Sequence, residues 1–322
     1  MVLALALAMP AAIRAQTSYY NLDGSRPLRV EDVLPTERHA LDVELAPLRY
    51  EHYPSGTQRL RLEPKLSYGV LPLTELEVRV PVVTIFPPRA AGARRTIGAA
   101  GVAVGALHAF GVETGRRPGL ALGAEALIPA GPLSGPHVSY TAKLLATRTG
   151  TLGRLQLNAA WGTYSVRPAP LFVPTACTAS CGGNNPPDLP LQPFDFPCAP
   201  PAASASIDRT MCAPARASAL AGGARFDPRR SGGAHWVTAV GADHAFGLRS
   251  TLVSADVVAE RFVGLYALTD WTAEAGMRRQ LTPRAVIDFG VGRHFAGVVQ
   301  STSATLGLTW ELTLPAPKGF RL

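Results

Sequence analysis

Long hydrophobic runs are the first thing this sequence lacks. Beyond the N-terminus no stretch holds eighteen consecutive apolar residues, although 47% of the 322 residues are hydrophobic and the mean hydropathy is +0.13. A transmembrane helix needs about 20 such residues in a row. The sequence therefore excludes a helical membrane protein, and its apolar residues are spread along the chain in another way.

Charged residues are also scarce, and lysine is nearly absent. Only 17% of the residues are charged, and lysine occurs only as Lys65, Lys143 and Lys318, so the net charge of +8 comes almost wholly from arginine. The arginines are scattered and alternate with Asp and Glu, whereas a nucleic-acid-binding protein gathers its basic residues in one patch. The composition therefore argues against nucleic acid as a partner.

Recognisable catalytic motifs are missing as well. The sequence has no Gly-rich phosphate loop, no Ser-His-Asp context and no paired-carboxylate motif. One short match is His137-Val138-Ser139, which together with Asn158 resembles the His-x-Ser pair and Asn of outer-membrane phospholipases. That family turns its pair towards lipid, whereas the alternation around Val138 turns His137 and Ser139 the other way. We therefore predict no enzyme and no cofactor.

Alternation is what the sequence does contain. The stretch from Arg59 to Val82 reads RLRLEPKLSYGVLPLTELEVRVPV, in which charged and aliphatic residues take turns on both sides of Gly69. A period of two places successive side chains on opposite faces of a β-strand. Each strand of this predicted hairpin therefore has one charged face and one aliphatic face.

The same pattern recurs from Leu41 to Leu312. About twelve alternating segments of roughly ten residues follow one another, and ten residues is about the length of a tilted strand that crosses a bilayer. The prediction is an all-β fold, a transmembrane antiparallel up-and-down β-barrel in residues 39–314 with one long extracellular loop. Because the long connections follow odd-numbered strands, both chain ends are predicted to lie in the periplasm. The first strand changes phase at Ala46-Pro47, which predicts a β-bulge.

The register of the early hairpin is predicted from charge. Pairing residues whose numbers sum to 142 sets Lys65 opposite Glu77 and Glu63 opposite Arg79. A sum of 140 would oppose like charges, which destabilises a cross-strand pair. We therefore predict the register of 142, with residues 70–72 as the turn.

The charged face of each strand supplies candidate pore-lining residues. Opposite charges share this face, so ion pairing inside the barrel is favoured over acid–base chemistry, and no metal site is predicted. The candidates are Arg59, Arg61, Glu63, Lys65, Glu75, Glu77, Arg79, Glu125, Lys143, Arg154, Asp256, Glu260, Glu274, Arg278 and Asp288.

The segments outside the strands have their own predictions. Residues 1–15 form an apolar stretch that ends in Ile13-Arg14-Ala15, close to a signal-peptidase site, which predicts a secretory signal peptide. The alternative, a buried helix, is disfavoured by Pro10. The polar stretch 16–38 is predicted to be a periplasmic N-terminal tail, and residues 315–322 a C-terminal tail.

A long insert, residues 165–233, is predicted to be the extracellular loop. It is rich in Pro, Ala, Gly and Ser and carries all four cysteines, Cys177, Cys181, Cys198 and Cys212. In a secreted chain an even count predicts disulfides, and of the three possible connectivities we favour Cys177–Cys181 with Cys198–Cys212. Zinc is the alternative, but no histidine lies in the insert.

The run from Pro64 to Val83, PKLSYGVLPLTELEVRVPVV, resembles outer-membrane transporters of the phenol-degradation MetA-pathway type. Their early strands carry a Tyr-Gly-Val turn and then a Glu-rich strand that ends in Val-Pro. The resemblance covers this hairpin, and the remainder only as a barrel of similar length. It implies a passive channel for small solutes, hydrophobic or aromatic compounds among them.

A barrel of this kind implies the cell outer membrane of a Gram-negative organism, reached by secretion across the inner membrane. The expected partners are outer-membrane lipid, the barrel-assembly machinery with periplasmic chaperones, and a small-molecule solute. The alternative function is a non-conducting barrel that displays the disulfide-stapled loop for adhesion or assembly. A barrel of about twelve strands is intermediate in size between small barrels filled by side chains and large barrels with an open channel. The strand count is therefore compatible with both functions.

Overall fold

The computed structural model describes residues 22, 27–45, 48–88, 94–165, 232–246, 250–263, 268–297 and 300–313. Regular structure in these ranges is β-strand throughout. In the described part of the chain no helix is long and apolar enough to span a bilayer.

Twelve antiparallel strands make up the fold. Each of the first four consists of two segments, and the remaining eight are continuous. The divided strands are β1 (Ala40–Glu44 and Leu48–His52), β2 (Gln58–Leu62 and Lys65–Leu71), β3 (Thr74–Arg79 and Val82–Phe86) and β4 (Thr96–Ala99 and Val102–Gly111). The others are β5 (Gly119–Ile128), β6 (Ser139–Gly150), β7 (Gly153–Ser165), β8 (Gly232–Phe246), β9 (Thr251–Phe262), β10 (Asp270–Thr282), β11 (Ala285–Ala296) and β12 (Ser301–Thr313).

The sheet closes on itself. Each strand pairs with its neighbour in sequence, and β12 pairs with both segments of β1. Closure lets every strand find two partners, which is the condition for a sheet to lie in lipid without an unsatisfied edge. The predicted up-and-down barrel of about twelve strands is confirmed.

The phase slip in β1 is also confirmed. Glu44 lies opposite Thr309, whereas Leu48 lies opposite Leu306, so four steps along β1 correspond to three along β12. One extra residue on β1 is the signature of a bulge. Ala46 and Pro47 themselves lie outside the described residues.

The predicted register of the early hairpin is wrong by two residues. Lys65 lies opposite Arg79, a sum of 144, and the turn is residues 72–73. The expected ion pairs nevertheless form on the diagonal, with Lys65 Nζ 3.8 Å from Glu77 and Arg79 3.7 Å from Glu63. The predicted register took account of these two strands only. In the barrel, Glu44 on β1 lies opposite Lys65 and supplies a second carboxylate at 3.3 Å.

Burial is inverted relative to a soluble protein. Leu66, Leu122 and Leu306 are exposed on the outside, whereas Glu63 and Asp288 are buried inside. Soluble proteins almost never bury carboxylates while exposing a continuous aliphatic face. This inversion is typical of a barrel whose outer surface meets lipid.

The two ends of the barrel carry different connections. The turn end carries two-residue turns at 72–73, 151–152 and 283–284 together with the longer connection 112–118, and the loop end carries connections that include 53–57, 87–95, 129–138 and 166–231. The shortest connections therefore lie at one end of the barrel and the longest at the other. Residues 247–249 lie outside the described residues.

Candidate functional site: a half-filled lumen

The N-terminal segment, residues 27–38, lies inside the barrel rather than forming the predicted periplasmic tail. Its apolar residues are buried in two clusters against inward-facing side chains of the turn half. In the first, Leu22, Leu28 and Val30 pack with Ala239, Leu252, Val258 and Val286. In the second, Val33 packs with Leu107, Ala109, Ala121 and Leu145. The segment has no alternation, which is why its pattern predicted only an irregular tail.

The backbone of the N-terminal segment binds side chains of the wall instead of a neighbouring strand. The N–H groups of Arg29 and Val30 both donate to Asp256 Oδ2, at 2.8 and 3.0 Å. The N–H of Glu31 donates to Asn158 Oδ1 at 3.0 Å, and Asn158 Nδ2 donates back to the Glu31 carbonyl at 2.9 Å. Buried backbone groups need such partners, so these two wall residues replace the hydrogen bonds of a sheet.

A buried charged cluster holds the middle of the segment. Asp32 accepts hydrogen bonds from Thr147 Oγ1 at 2.8 Å and from Arg154 Nη1 at 2.6 Å. Arg154 also binds Asp243 on the next strand at 2.9 Å. One guanidinium thus joins the segment to the wall, and both carboxylates are almost completely buried.

Beyond the N-terminal segment the loop half of the lumen is open. A cavity of about 530 Å³ extends there, and Arg29 and Glu31 of the segment form its floor. These two residues are tied to the wall, since Arg29 binds Glu260 at 2.9 Å and Lys143 binds Glu31 at 3.0 Å. Among the described residues, the lumen is therefore filled in the turn half and holds a cavity in the loop half.

Most of the predicted pore-lining residues meet in this cavity. Nine line it: Arg59, Arg61, Glu63, Lys65, Glu77, Arg79, Glu125, Lys143 and Glu260. The remaining six lie away from the cavity and are buried or largely buried: Glu75, Arg154, Asp256, Glu274, Arg278 and Asp288. Of these, Glu75 accepts the N–H of Thr36 at 2.6 Å, so it too holds the N-terminal segment.

Sequence reasoning missed Arg49 and Glu51 on β1. Both line the cavity, and Arg49 binds the buried Glu274 at 2.7 Å. The signal was available, because the phase change before Leu48 turns the odd-numbered residues of this segment inward.

Small residues on β4 leave room for charges to meet across it. Arg79 on β3 binds Glu125 on β5, although β4 lies between them. Gly105 faces this contact, and a Cβ at that position would lie 2.6 Å from Glu77 Oε1. A larger residue at position 105 would displace the carboxylate of Glu77.

Aromatic residues stand near the loop end of the cavity. The His235 and Phe262 rings are stacked with centroids 4.4 Å apart, and Tyr164 meets Phe262 edge-on at 5.2 Å. His235 Nε2 lies 2.9 Å from Glu260 Oε1. This corner therefore combines flat apolar surface with a polar group.

Asn158 and His137, which resemble part of a phospholipase site in the sequence, have other partners in the structure. Asn158 is engaged on both sides of its amide by Glu31, and His137 precedes β6 with its N–H bound to Ser165 Oγ at 3.0 Å. Among the described residues no group of three or more His, Cys, Asp or Glu could hold a metal ion. The four cysteines, residues 1–15 and residues 315–322 lie outside the described residues.

Comparisons with known proteins bear on the fold. No family model matches the chain, and no curated protein matches it. Among solved structures, it is similar to the COG4313 outer membrane channel from Pseudomonas putida F1, with a TM-score of 0.51 and 8% identity over 87% of this chain and 98% of that chain. NanC porin gives a TM-score of 0.44 and 12% identity over 84% and 100%, and KdgM porin 0.42 and 10% over 84% and 98%. At such identities the likeness shows the outer-membrane barrel fold alone.

Proposed function

We propose that this protein is an outer-membrane channel that passes small solutes through the barrel lumen, and that the N-terminal segment is its plug. The observation that carries the proposal is the half-filled lumen. A polar cavity opens in the loop half, and residues 27–38, together with Leu22 and the wall side chains they pack against, lie between it and the turn end. A solute that enters from the loop end needs the segment to move.

The contacts of the segment support its mobility as a unit. The barrel closes through β1 and β12 without it. Along the described chain its backbone pairing with a strand is the single bridge between Arg38 and Gly69, next to the start of β1. Its other polar contacts with the wall are with side chains. Withdrawing the segment would therefore break these hydrogen bonds and the two apolar clusters, but it would not separate any pair of strands.

The finer features of the function are part of the same proposal. Relationship to the MetA-pathway type is supported by the hairpin sequence, and hydrophobic or aromatic solutes by the ring cluster near Phe262. The exposed aliphatic face supports outer-membrane lipid as the surroundings. Secretion by a signal peptide, insertion by the barrel-assembly machinery with chaperones, and two disulfides in the loop remain predictions from the sequence.

Single-channel conductance in planar bilayers tests the proposal, with a redox lock as the matched comparison. A Cβ at Gly241 would lie 2.7 Å from Val30 Cγ2, so cysteines at positions 30 and 241 are close enough for a disulfide. We expect Val30→Cys/Gly241→Cys to conduct in brief openings when reduced and to be silent when oxidised. The single variant Val30→Cys should be indifferent to oxidation.

The same recordings also test the alternative function, a non-conducting barrel. If wild type, the reduced double variant and a variant lacking residues 27–36 are all silent although folded, the protein is no channel. A barrel that displays residues 165–233 for adhesion or assembly would then be the better account.

A further inference from the structure

The open half of the lumen has a chemical preference that its formal charge does not reveal. Seven Arg and Lys side chains and eight Asp and Glu side chains line the cavity, so positive and negative charges almost balance. The preference depends on which of these charged side chains reach the open cavity. The ligand inferred from it rests on the proposed channel function.

In four ion pairs of the cavity wall the cation is the more exposed partner, whereas Lys65 and Glu77 are equally exposed. The Arg61 side chain is 41% exposed and its partner Glu63 only 3%, and Arg59 is 32% exposed against 8% for Glu51. The same order holds for two further pairs, Arg79–Glu125 and Lys143–Glu31. A guanidinium carries five N–H donors, so one that is bound to a carboxylate from behind keeps donors for a second acceptor in front.

The wall opposite these arginines carries an apolar patch. Arg59 and Arg61 lie on β2, and β8 is six strands away in a ring of twelve, which places it across the lumen. There Val237 and Ala239 face the cavity, and Phe262 on β9 adds its ring, next to the paired His235 and Glu260. A solute between the two walls meets guanidinium groups on one side and this hydrocarbon patch on the other.

We infer that the open half of the lumen binds a small organic monoanion, a carboxylate with an aromatic or aliphatic body. Its carboxylate lies on the exposed N–H groups of Arg59 and Arg61, a pairing that favours two parallel hydrogen bonds. Its body lies on Val237, Ala239 and Phe262. A cation finds the carboxylates of these pairs buried behind the arginines, and a neutral solute gains only the apolar wall.

Equilibrium binding to the purified full-length protein in a neutral detergent tests this inference, with isothermal titration calorimetry as the measurement. The probes are benzoate and its neutral analogue benzamide. Wild type should bind benzoate about tenfold or more tightly than benzamide, since tenfold corresponds to about 1.4 kcal/mol and a charge-assisted pair supplies that much. Arg61→Gln should remove about tenfold of the benzoate affinity and leave benzamide unchanged, and Arg61→Lys should fall between.

The controls separate a folding defect from a lost site. Arg79 stays 3.7 Å from Glu63, so Arg61→Gln does not strand that buried carboxylate. Arg293→Gln, an exposed arginine on the outer face of β11, should bind both probes as wild type does. Heat-modifiable migration in gels reports whether each barrel is folded.

Two results would overturn the inference: equal affinity of wild type for benzoate and benzamide, or an unchanged benzoate affinity in folded Arg61→Gln. Binding needs no conduction, so the two proposals fail separately. Tight benzoate binding by a protein that is silent in bilayers refutes the channel and keeps the anion site. Conduction without a preference for benzoate does the reverse.

Discussion

The two halves of the lumen are formed by the same strands with the same alternation, yet the turn half is filled and the loop half holds a cavity. In the turn half, inward carboxylates such as Asp256 and Asp243 are bound by the N-terminal segment or by an arginine that also binds that segment. In the loop half, charges pair mostly between strands and their arginines project into a cavity. Alternation therefore predicts which side chains point inward, and it does not predict what they meet there.

A second difference between the halves was present in the sequence. Leu107, Leu145, Leu252 and Val286 are large aliphatic residues on the inward face of their strands, and all four lie in the clusters formed with the N-terminal segment. An aliphatic residue on a lumen face is costly beside water and favourable beside another apolar group. Such exceptions to the alternation mark where a barrel is filled.

Removing the segment should produce the largest effect. Deletion of residues 27–36 leaves β1 and its closure with β12 intact and opens the turn half. We expect a channel that is open nearly all the time, with the single-channel conductance of the wild-type open state. Arg61→Gln, a change confined to the loop half, should leave the open probability unchanged, because it alters a wall and not a blockage. Equal open probability of the deletion and wild type would show that the segment is no plug.

Loosening one anchor should have a smaller effect. Asp256→Ala removes the acceptor of the Arg29 and Val30 N–H groups. Hydrogen bonds to a charged group contribute about 1.5–3 kcal/mol, so the fraction of time spent open should rise by about tenfold or more. Asp256→Asn keeps one carbonyl oxygen and should lie between, while Glu125→Gln, which does not contact the segment, should leave gating unchanged. The measurement is open probability in bilayer recordings.

Chemical labelling should distinguish the halves without any transport assay. Gln156 is fully buried on the turn side, whereas Arg61 is exposed in the cavity. A water-soluble maleimide should react quickly with Arg61→Cys and slowly with Gln156→Cys. Deleting residues 27–36 should make the second cysteine reactive and leave the first unchanged. Rapid labelling of both in the intact protein would mean that the turn half is open.

The smallest expected change concerns a single hydroxyl of the loop half. Tyr53 donates to Glu51 Oε2 at 2.9 Å, and that carboxylate keeps Arg59 as a partner when the hydroxyl is removed. Tyr53→Phe should lower the free energy of unfolding by about 1 kcal/mol or less and leave ion selectivity unchanged. Urea unfolding in detergent measures the first and reversal potential the second. A large shift in selectivity would mean that this phenol, rather than the arginines, governs the solute path.

The sequence by itself determined the class of fold, a count of about twelve strands, the bulge in β1 and the inward face of the strands with charged residues at alternate positions. These follow from local rules, since a period of two fixes faces and a phase slip marks an extra residue. The tertiary structure decided the rest. The hairpin register depends on Glu44 and Glu125, which come from other strands, and a comparison of two strands cannot include them. The position of residues 27–38 depends on Asp256, Asn158 and Arg154, more than a hundred residues away in sequence, which only barrel closure brings to one side of the lumen.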